Sequence, residues 1–209
     1  MKHALSALLV SFGLLLPTLA SAQELGAKGD AVFSVDRLMG ITATHEAGDR
    51  GALEYHDDFT AFSFGWRATP DGSPFDVPRF AFDYLVTDHL SIGGALGYAS
   101  VDADQLDDYS TFIIAPRVGY AYAFGKVVGI WPRGGFTYHA TSVDNGIDEK
   151  GFALTLECPF TFSVASHFAF HVGPTFDIDL FGSRDPFPID KEDHSFRTFG
   201  LNAGLLAWF

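Results

Sequence analysis

The sequence predicts an all-β fold, an eight-stranded antiparallel up-and-down transmembrane β-barrel with a long first extracellular loop. In segment 196–209, Phe199 and Leu201 alternate with Thr198 and Asn202, and residues two apart share one face of a strand. Similar segments are separated alternately by tight turns and by long acidic stretches, which is typical of membrane-spanning barrels. After the N-terminal segment, no run approaches the roughly 18 apolar residues that a membrane helix needs.

The N-terminal residues have the pattern of a secretory signal peptide. Lys2 and His3 precede an apolar run at 8–16, and a small-residue site ends at Ala22. We expect cleavage after Ala22, which gives a signal peptide at 1–22 and a barrel domain at 23–209. The mature protein is therefore expected to leave the cytoplasm.

A period of two residues predicts strands at 31–44, 78–86, 90–99, 110–123, 127–140, 152–164, 167–180 and 196–209. Tight turns are expected at 87–89, 124–126 and 165–166, and long outer loops at 100–109, 141–151 and 181–195. Each strand has apolar outward positions, which are in order Val35 and Ile41; Phe80 and Phe82; Ile92 and Leu96; Phe112 and Ile114; Ile130 and Phe136; Leu154 and Leu156; Phe168 and Phe170; Phe199 and Leu201.

One further segment alternates but does not fit the strand count. In residues 60–67, Phe62, Phe64 and Trp66 stand opposite small or polar residues. A ninth spanning strand would put the two chain ends on opposite sides of the membrane. We therefore assign this segment to an extended first loop, about 45–77, as a hairpin above the membrane. A ten-stranded barrel with one strand unrecognised is the alternative.

Charged side chains occupy inward positions of the predicted strands. A barrel of about eight strands is too narrow for an open aqueous channel, so these charges are expected to pair. Two interpretations stay open, namely a static polar core and a gate for small ions in which Glu157 exchanges between Arg117 and Arg133. The predicted interior network is Asp36, Asp83, Arg117, Arg133, Glu157, His171 and Asp177.

Arg37 does not fit this pattern, because it shares the outward phase with Val35 and Ile41. An arginine facing lipid near the bilayer midplane costs about 2–4 kcal/mol. Either a bulge turns Arg37 inward beside Asp36, or its side chain extends to the periplasmic headgroups.

We expect no enzymatic activity. His171 with Asp177 and Glu157 could act as a base with carboxylate helpers, and His139 with Ser142 as a base and nucleophile. Neither set has a spacing that specifies such chemistry. We also predict no metal and no cofactor, because the acidic segments lack the spacing of a calcium loop.

The net charge of -13 excludes nucleic acid as a favourable partner. The carboxylates concentrate in two predicted outer loops, where they form a solvated surface or bind divalent cations that bridge to lipopolysaccharide phosphates. These residues are Asp102, Asp104, Asp107 and Asp108 in one loop and Asp185, Asp190, Glu192 and Asp193 in the other.

The stretches 36–40 (DRLMG), 78–84 (PRFAFDY) and 90–94 (LSIGG) resemble the small outer-membrane β-barrel superfamily that includes the OmpA transmembrane domain, OmpX and OmpW. The resemblance implies a place in the outer membrane of a Gram-negative envelope, in contact with outer-membrane lipid and lipopolysaccharide. It also implies that the barrel-assembly machinery recognises the C-terminal strand through Phe209.

The function expected from these observations is a structural, adhesive or surface-interaction role, with an extracellular ligand at the outer loops and a charge-plugged interior. A narrow gated channel for small ions or solutes is the alternative. A lipid-modifying outer-membrane hydrolase is a third, weaker hypothesis.

Overall fold

The computed structural model describes residues 25–50, 53–66, 73–101, 109–143, 147–186 and 192–209. The predicted signal peptide lies outside these ranges, as do the four aspartates of the predicted loop at 100–109. Among the described residues, no helix has the length and apolar character required to span a membrane.

The described residues form strands and one short 3-10 helix, Pro74–Asp76. The strands are β1 (Ala31–Arg50), β2 (Leu53–Phe64), β3 (Arg79–Leu85), β4 (Leu90–Val101), β5 (Tyr109–Tyr120), β6 (Tyr122–Ala123), β7 (Val128–Ile130), β8 (Arg133–Val143), β9 (Ile147–Glu157), β10 (Phe160–Ala165), β11 (Phe168–Pro186) and β12 (Glu192–Trp208).

The strands form one antiparallel sheet that closes on itself, because β12 pairs with β1 on one side and with β11 on the other. They fill eight positions in the wall, since β2 and β3, β5 and β6, β7 and β8, and β9 and β10 each follow one another along a single position. The predicted eight-stranded barrel is confirmed. The described residues do not form the ten-stranded alternative.

The second wall position is divided between β2 and β3. The first part of β1 pairs with β3 (Val32 opposite Asp83), and the rest pairs with β2 (Ile41 opposite Phe62). The hairpin expected around 60–67 is therefore present, formed by β1 and β2. It does not lie wholly above the membrane as expected, because β2 also supplies the upper part of the wall, with Phe64 67% exposed on the outer face.

The two faces of the wall differ as the alternation predicts. Large apolar side chains such as Phe80, Ile92, Val118 and Leu201 are exposed around the outer face. A continuous apolar surface of this kind requires lipid as its surroundings. Arginine, aspartate, threonine and serine side chains are buried inside the barrel.

A bulge in β1 places Arg37 inside the barrel. The pairing of Val35 with Leu205 is followed by that of Met39 with Ala203, so β1 carries two more residues than β12 at this point. Arg37 has a φ of 56°, which is uncommon for a residue with a side chain. Of the two alternatives for Arg37, the structure has the inward bulge, and the side chain is 1% exposed.

Residues 73–78, which contain the 3-10 helix and lead into β3, enter the barrel instead of crossing above it. Ser73 caps the 3-10 helix by accepting a hydrogen bond from the Phe75 amide. Phe75, Asp76 and Val77 are all buried. We call residues 73–78 the plug segment.

Candidate functional site

The predicted interior residues meet in one layer across the middle of the barrel. Six strands contribute inward side chains at this height, two residues each from β1, β3 and β11 and one each from β5, β8 and β9. All seven predicted residues are buried, and the structure adds Arg37 and Arg79. We call the set the charge layer: Asp36, Arg37, Arg79, Asp83, Arg117, Arg133, Glu157, His171 and Asp177.

Arg37 is bound by groups from three other parts of the chain. Its Nη1 donates to Asp177 Oδ2 at 2.8 Å, and its Nη2 donates to Asp177 Oδ1 and to Glu157 Oε1, both at 3.1 Å. The same Nη1 donates to the carbonyl oxygen of Phe75 at 2.9 Å. The guanidinium therefore connects the wall, the charge layer and the plug segment.

Arg117 and Arg133 hold the remaining carboxylates. Arg117 Nε donates to Asp83 Oδ1 at 3.1 Å, and Arg117 also pairs with Asp36. Arg133 Nη2 lies 2.9 Å from Glu157 Oε2. Because Glu157 also lies 3.6 Å from Arg117, it has the two arginine partners that the gate hypothesis requires. These contacts satisfy the condition that buried charges be paired, and they are equally compatible with a static core.

Arg79 is a member of the layer that our prediction missed. It is 2% exposed, and its Nε and Nη2 have no hydrogen-bond partner among the described residues. The alternation along β3 identifies Arg79 as an inward residue, because it lies four residues before Asp83 and next to the outward Phe80.

The plug segment covers the charge layer from the outer side. The Thr42 hydroxyl donates to Asp76 Oδ2 at 3.1 Å, and the hydroxyls of Ser73 and Thr198 lie 2.9 Å apart. The Phe75 ring packs in a buried cluster with Ala153 and Phe196. The segment thus closes the lumen with both polar and apolar contacts.

An apolar layer closes the barrel at the end that carries the tight turns. Trp131 and Trp208 are fully buried there, and Leu25 from the N-terminal segment packs against them. Trp131 Nε1 donates to Ser91 Oγ at 3.2 Å. Phe209 follows at the rim, 73% exposed, and its amide donates to the Ala31 carbonyl.

A second polar group, which we call the outer cluster, lies at the outer end and consists of Glu46, Tyr55, Glu149, Arg184 and His194. Glu46 Oε1 lies 2.9 Å from His194 Nε2 and accepts from Tyr55 Oη at 3.0 Å, while Arg184 pairs with Glu149. Burial opposes ionisation of Glu46, but the contacts with His194, Tyr55 and Arg184 outweigh it and lower its pKa. Burial, with Glu46 adding to it, raises the pKa of Tyr55 to about 12.

Neither arrangement considered for catalysis is formed. His139 Nε2 lies 3.0 Å from Asp179 Oδ1, whereas the Ser142 hydroxyl donates to Asp148. His171 Nε2 lies 3.1 Å from Asp36 Oδ1, and among the described residues His171 makes no hydrogen bond or ion pair with Asp177 or Glu157. The described residues contain no group of three or more histidine, cysteine or acidic side chains with metal-binding geometry.

The sequence matches no protein-family model and no curated protein. Solved structures do share the fold. The outer membrane protein OprG from Pseudomonas aeruginosa superposes with a TM-score of 0.58 at 11% identity, over 90% of this chain and 99% of that chain. Neisserial surface protein A superposes with a TM-score of 0.54 at 14% identity, over 88% and 99% of the two chains. The chain therefore has the fold of the small outer-membrane β-barrels, in agreement with the location predicted from the sequence.

Proposed function

We propose that the protein is a closed outer-membrane barrel with a structural, adhesive or surface-interaction role, exercised by its outer strands and loops. The observation that carries the proposal is the filling of the lumen at three successive heights. Among the described residues, the plug segment, the charge layer and the apolar layer around Trp131 and Trp208 fill the lumen with buried side chains, one layer above another. With the lumen closed, the surface available for function is the outer end.

The geometry of the outer end supports this role. The hairpin of β1 and β2 rises beyond the apolar outer face, and its exposed side chains there are polar, among them His56 and Asp58. The outer cluster ties this hairpin to β9, β11 and β12. A hairpin held in one orientation is a suitable platform for an extracellular ligand or for lipopolysaccharide, because little ordering entropy remains to be lost on binding.

Planar-bilayer recording tests the closed lumen. The full chain, refolded and checked for a heat-modifiable shift on a cold gel, is expected to give no stepwise current. A porin inserted under the same conditions serves as the positive control. Stepwise currents whose size changes in Glu157→Gln would refute the proposal.

A gated channel for small ions or solutes is the second candidate, and the plug segment favours it. The segment enters the lumen from the wall and is held there by Arg37, Thr42 and Thr198. A closure made by a connecting segment is more easily displaced than one made by the wall itself. In this case Phe75→Ala, which weakens the plug, is expected to conduct where the wild-type protein is silent.

A further inference from the structure

The plug segment occupies a slot whose aromatic walls are fixed without its help. His139 Nε2 lies 3.0 Å from Asp179 Oδ1, and the Phe196 amide donates to Asp179 Oδ2 at 2.8 Å. Asp179 thus holds the His139 ring and the backbone of Phe196. The Phe75 ring meets the His139 ring edge to face, with centroids 5.1 Å apart, and Ala153 completes the same buried cluster.

The barrel groups that hold the plug segment recognise oxygen atoms rather than a particular peptide. Arg37 donates to the Phe75 carbonyl oxygen, and Thr42 donates to the Asp76 carboxylate. Any buried ligand with suitably placed oxygen acceptors would satisfy the same donors.

The plug segment leaves two opposite charges incomplete. The Arg79 guanidinium has no hydrogen bond or ion pair to the described residues, and its Nε and Nη2 are buried without partners. Asp76 is 3% exposed, and its Oδ1 also has no partner. An unpaired buried guanidinium is costly, so the plug segment is an imperfect occupant of this part of the lumen.

Arg79 lines a small cavity together with Arg117, Arg133, Thr155 and Glu157. The cavity has a volume of about 10 Å³, room for one water-sized group or one ligand oxygen. Glu157 is already paired with Arg133 and Arg37, and Arg117 is paired with Asp83 and Asp36. Arg79 is therefore the guanidinium of this lining that has no ion-paired carboxylate among the described residues.

We infer that the slot filled by Phe75 is a binding site for small aromatic carboxylates, with the plug segment as its internal competitor. The ligand ring takes the place of the Phe75 ring against His139, Ala153 and Phe196, and its carboxylate pairs with Arg79. The plug segment carries the same two chemical groups in adjacent residues, a ring on Phe75 and a carboxylate on Asp76. Asp76 accepts a hydrogen bond from Thr42 and leaves the Arg79 guanidinium unpaired. The carboxylate of an aromatic ligand therefore supplies the partner for Arg79 that the plug segment lacks.

Phenylacetate binding to the refolded full chain, measured by isothermal titration calorimetry, tests the inference. Phe75→Ala removes the competing ring, so this variant is expected to bind phenylacetate at least tenfold more tightly than the wild-type protein. Adding Arg79→Gln is expected to weaken phenylacetate binding about tenfold or more, since a charge-assisted contact is lost. Binding of toluene, which has the ring without the carboxylate, is expected to be the same in both variants.

Arg197→Gln in the Phe75→Ala background is the matched control, because Arg197 is exposed on the outer face of β12. It is expected to leave phenylacetate affinity unchanged. Phe75→Leu, which keeps much of the apolar volume, is the second variant if Phe75→Ala shows no heat-modifiable shift, and it too is expected to bind more tightly than the wild-type protein. Folded Phe75 variants without a gain in affinity would overturn the inference, as would equal phenylacetate affinity with and without Arg79.

Discussion

Arg37 is expected to be the most sensitive single position in the barrel interior. Arg37→Met keeps most of the side-chain length and removes the charge. This leaves Asp177, at 0% exposure, with the Thr155 hydroxyl as its one hydrogen-bonding side-chain partner among the described residues. Removing one member of a buried ion pair costs about 3–5 kcal/mol. The lost hydrogen bond to the Phe75 carbonyl adds about 1 kcal/mol. We therefore expect the free energy of unfolding to fall by about 4–6 kcal/mol.

Urea unfolding of the protein in lipid vesicles, followed by tryptophan fluorescence, gives this free energy. Arg37→Met combined with Asp177→Asn is expected to be more stable than Arg37→Met alone, because the second change removes the uncompensated carboxylate. A loss of less than about 1 kcal/mol in Arg37→Met would refute the assigned role of Arg37, since that is the range of ordinary surface changes.

The backbone at Arg37 provides a second test of the same bulge. At a φ of 56°, a residue with a Cβ atom is strained by about 1–2 kcal/mol relative to glycine. Both Arg37→Gly and Arg37→Ala lose the ion pairs, so the difference between their free energies of unfolding reports the cost of the backbone conformation. Arg37→Gly is expected to be the more stable by about 1 kcal/mol, and the opposite order would contradict the left-handed conformation.

Further predictions concern the outer end, the bulge and the C-terminus. The pKa of Glu46 is lowered, so its contribution to stability is complete above the ordinary glutamate range and is lost as pH falls through the lowered folded value. Hydrogen exchange in the β1–β2 hairpin should therefore rise only when pH falls below the ordinary glutamate range, and Glu46→Gln should remove this dependence. Gly204→Ala would place a Cβ 2.1 Å from the Val35 carbonyl oxygen, and urea unfolding should detect a loss of about 1–3 kcal/mol. Phe209 is 73% exposed and stacks on His167, so Phe209→Ala should leave refolding in vitro nearly unchanged while lowering the amount of heat-modifiable barrel assembled in cells.

The sequence predicted the strand number and the inward residues well because both depend on a local period of two. Asp83, Arg117 and Glu157 lie inside since their neighbours along each strand are apolar. The period of two could not show that a bulge turns Arg37 inward. It inserts two residues, so the even-numbered positions face inward on both sides of it, and the alternation carries no trace of the insertion.

The plug segment could not be predicted from the sequence either. Residues 73–78 contain two prolines and an aspartate, a composition typical of an exposed loop. Their burial depends on Arg37, Thr42 and Thr198, which become neighbours only when the barrel closes. Arg79 is a different case, because the inward phase of β3 already included it and our prediction omitted it.

The wide separation of the charge-layer partners along the chain constrains how this barrel enters a bilayer. Arg37 and Asp177 are 140 residues apart, and Arg37 and Glu157 are 120 residues apart. A strand that inserted alone would expose its charge to hydrocarbon, at a cost of about 2–4 kcal/mol for an arginine at the midplane. The β8–β9 hairpin brings Arg133 to Glu157 by itself, but Arg37 meets its carboxylates only on β9 and β11. Insertion and closure must therefore proceed together, with the first and last strands meeting before the charged faces reach the membrane centre.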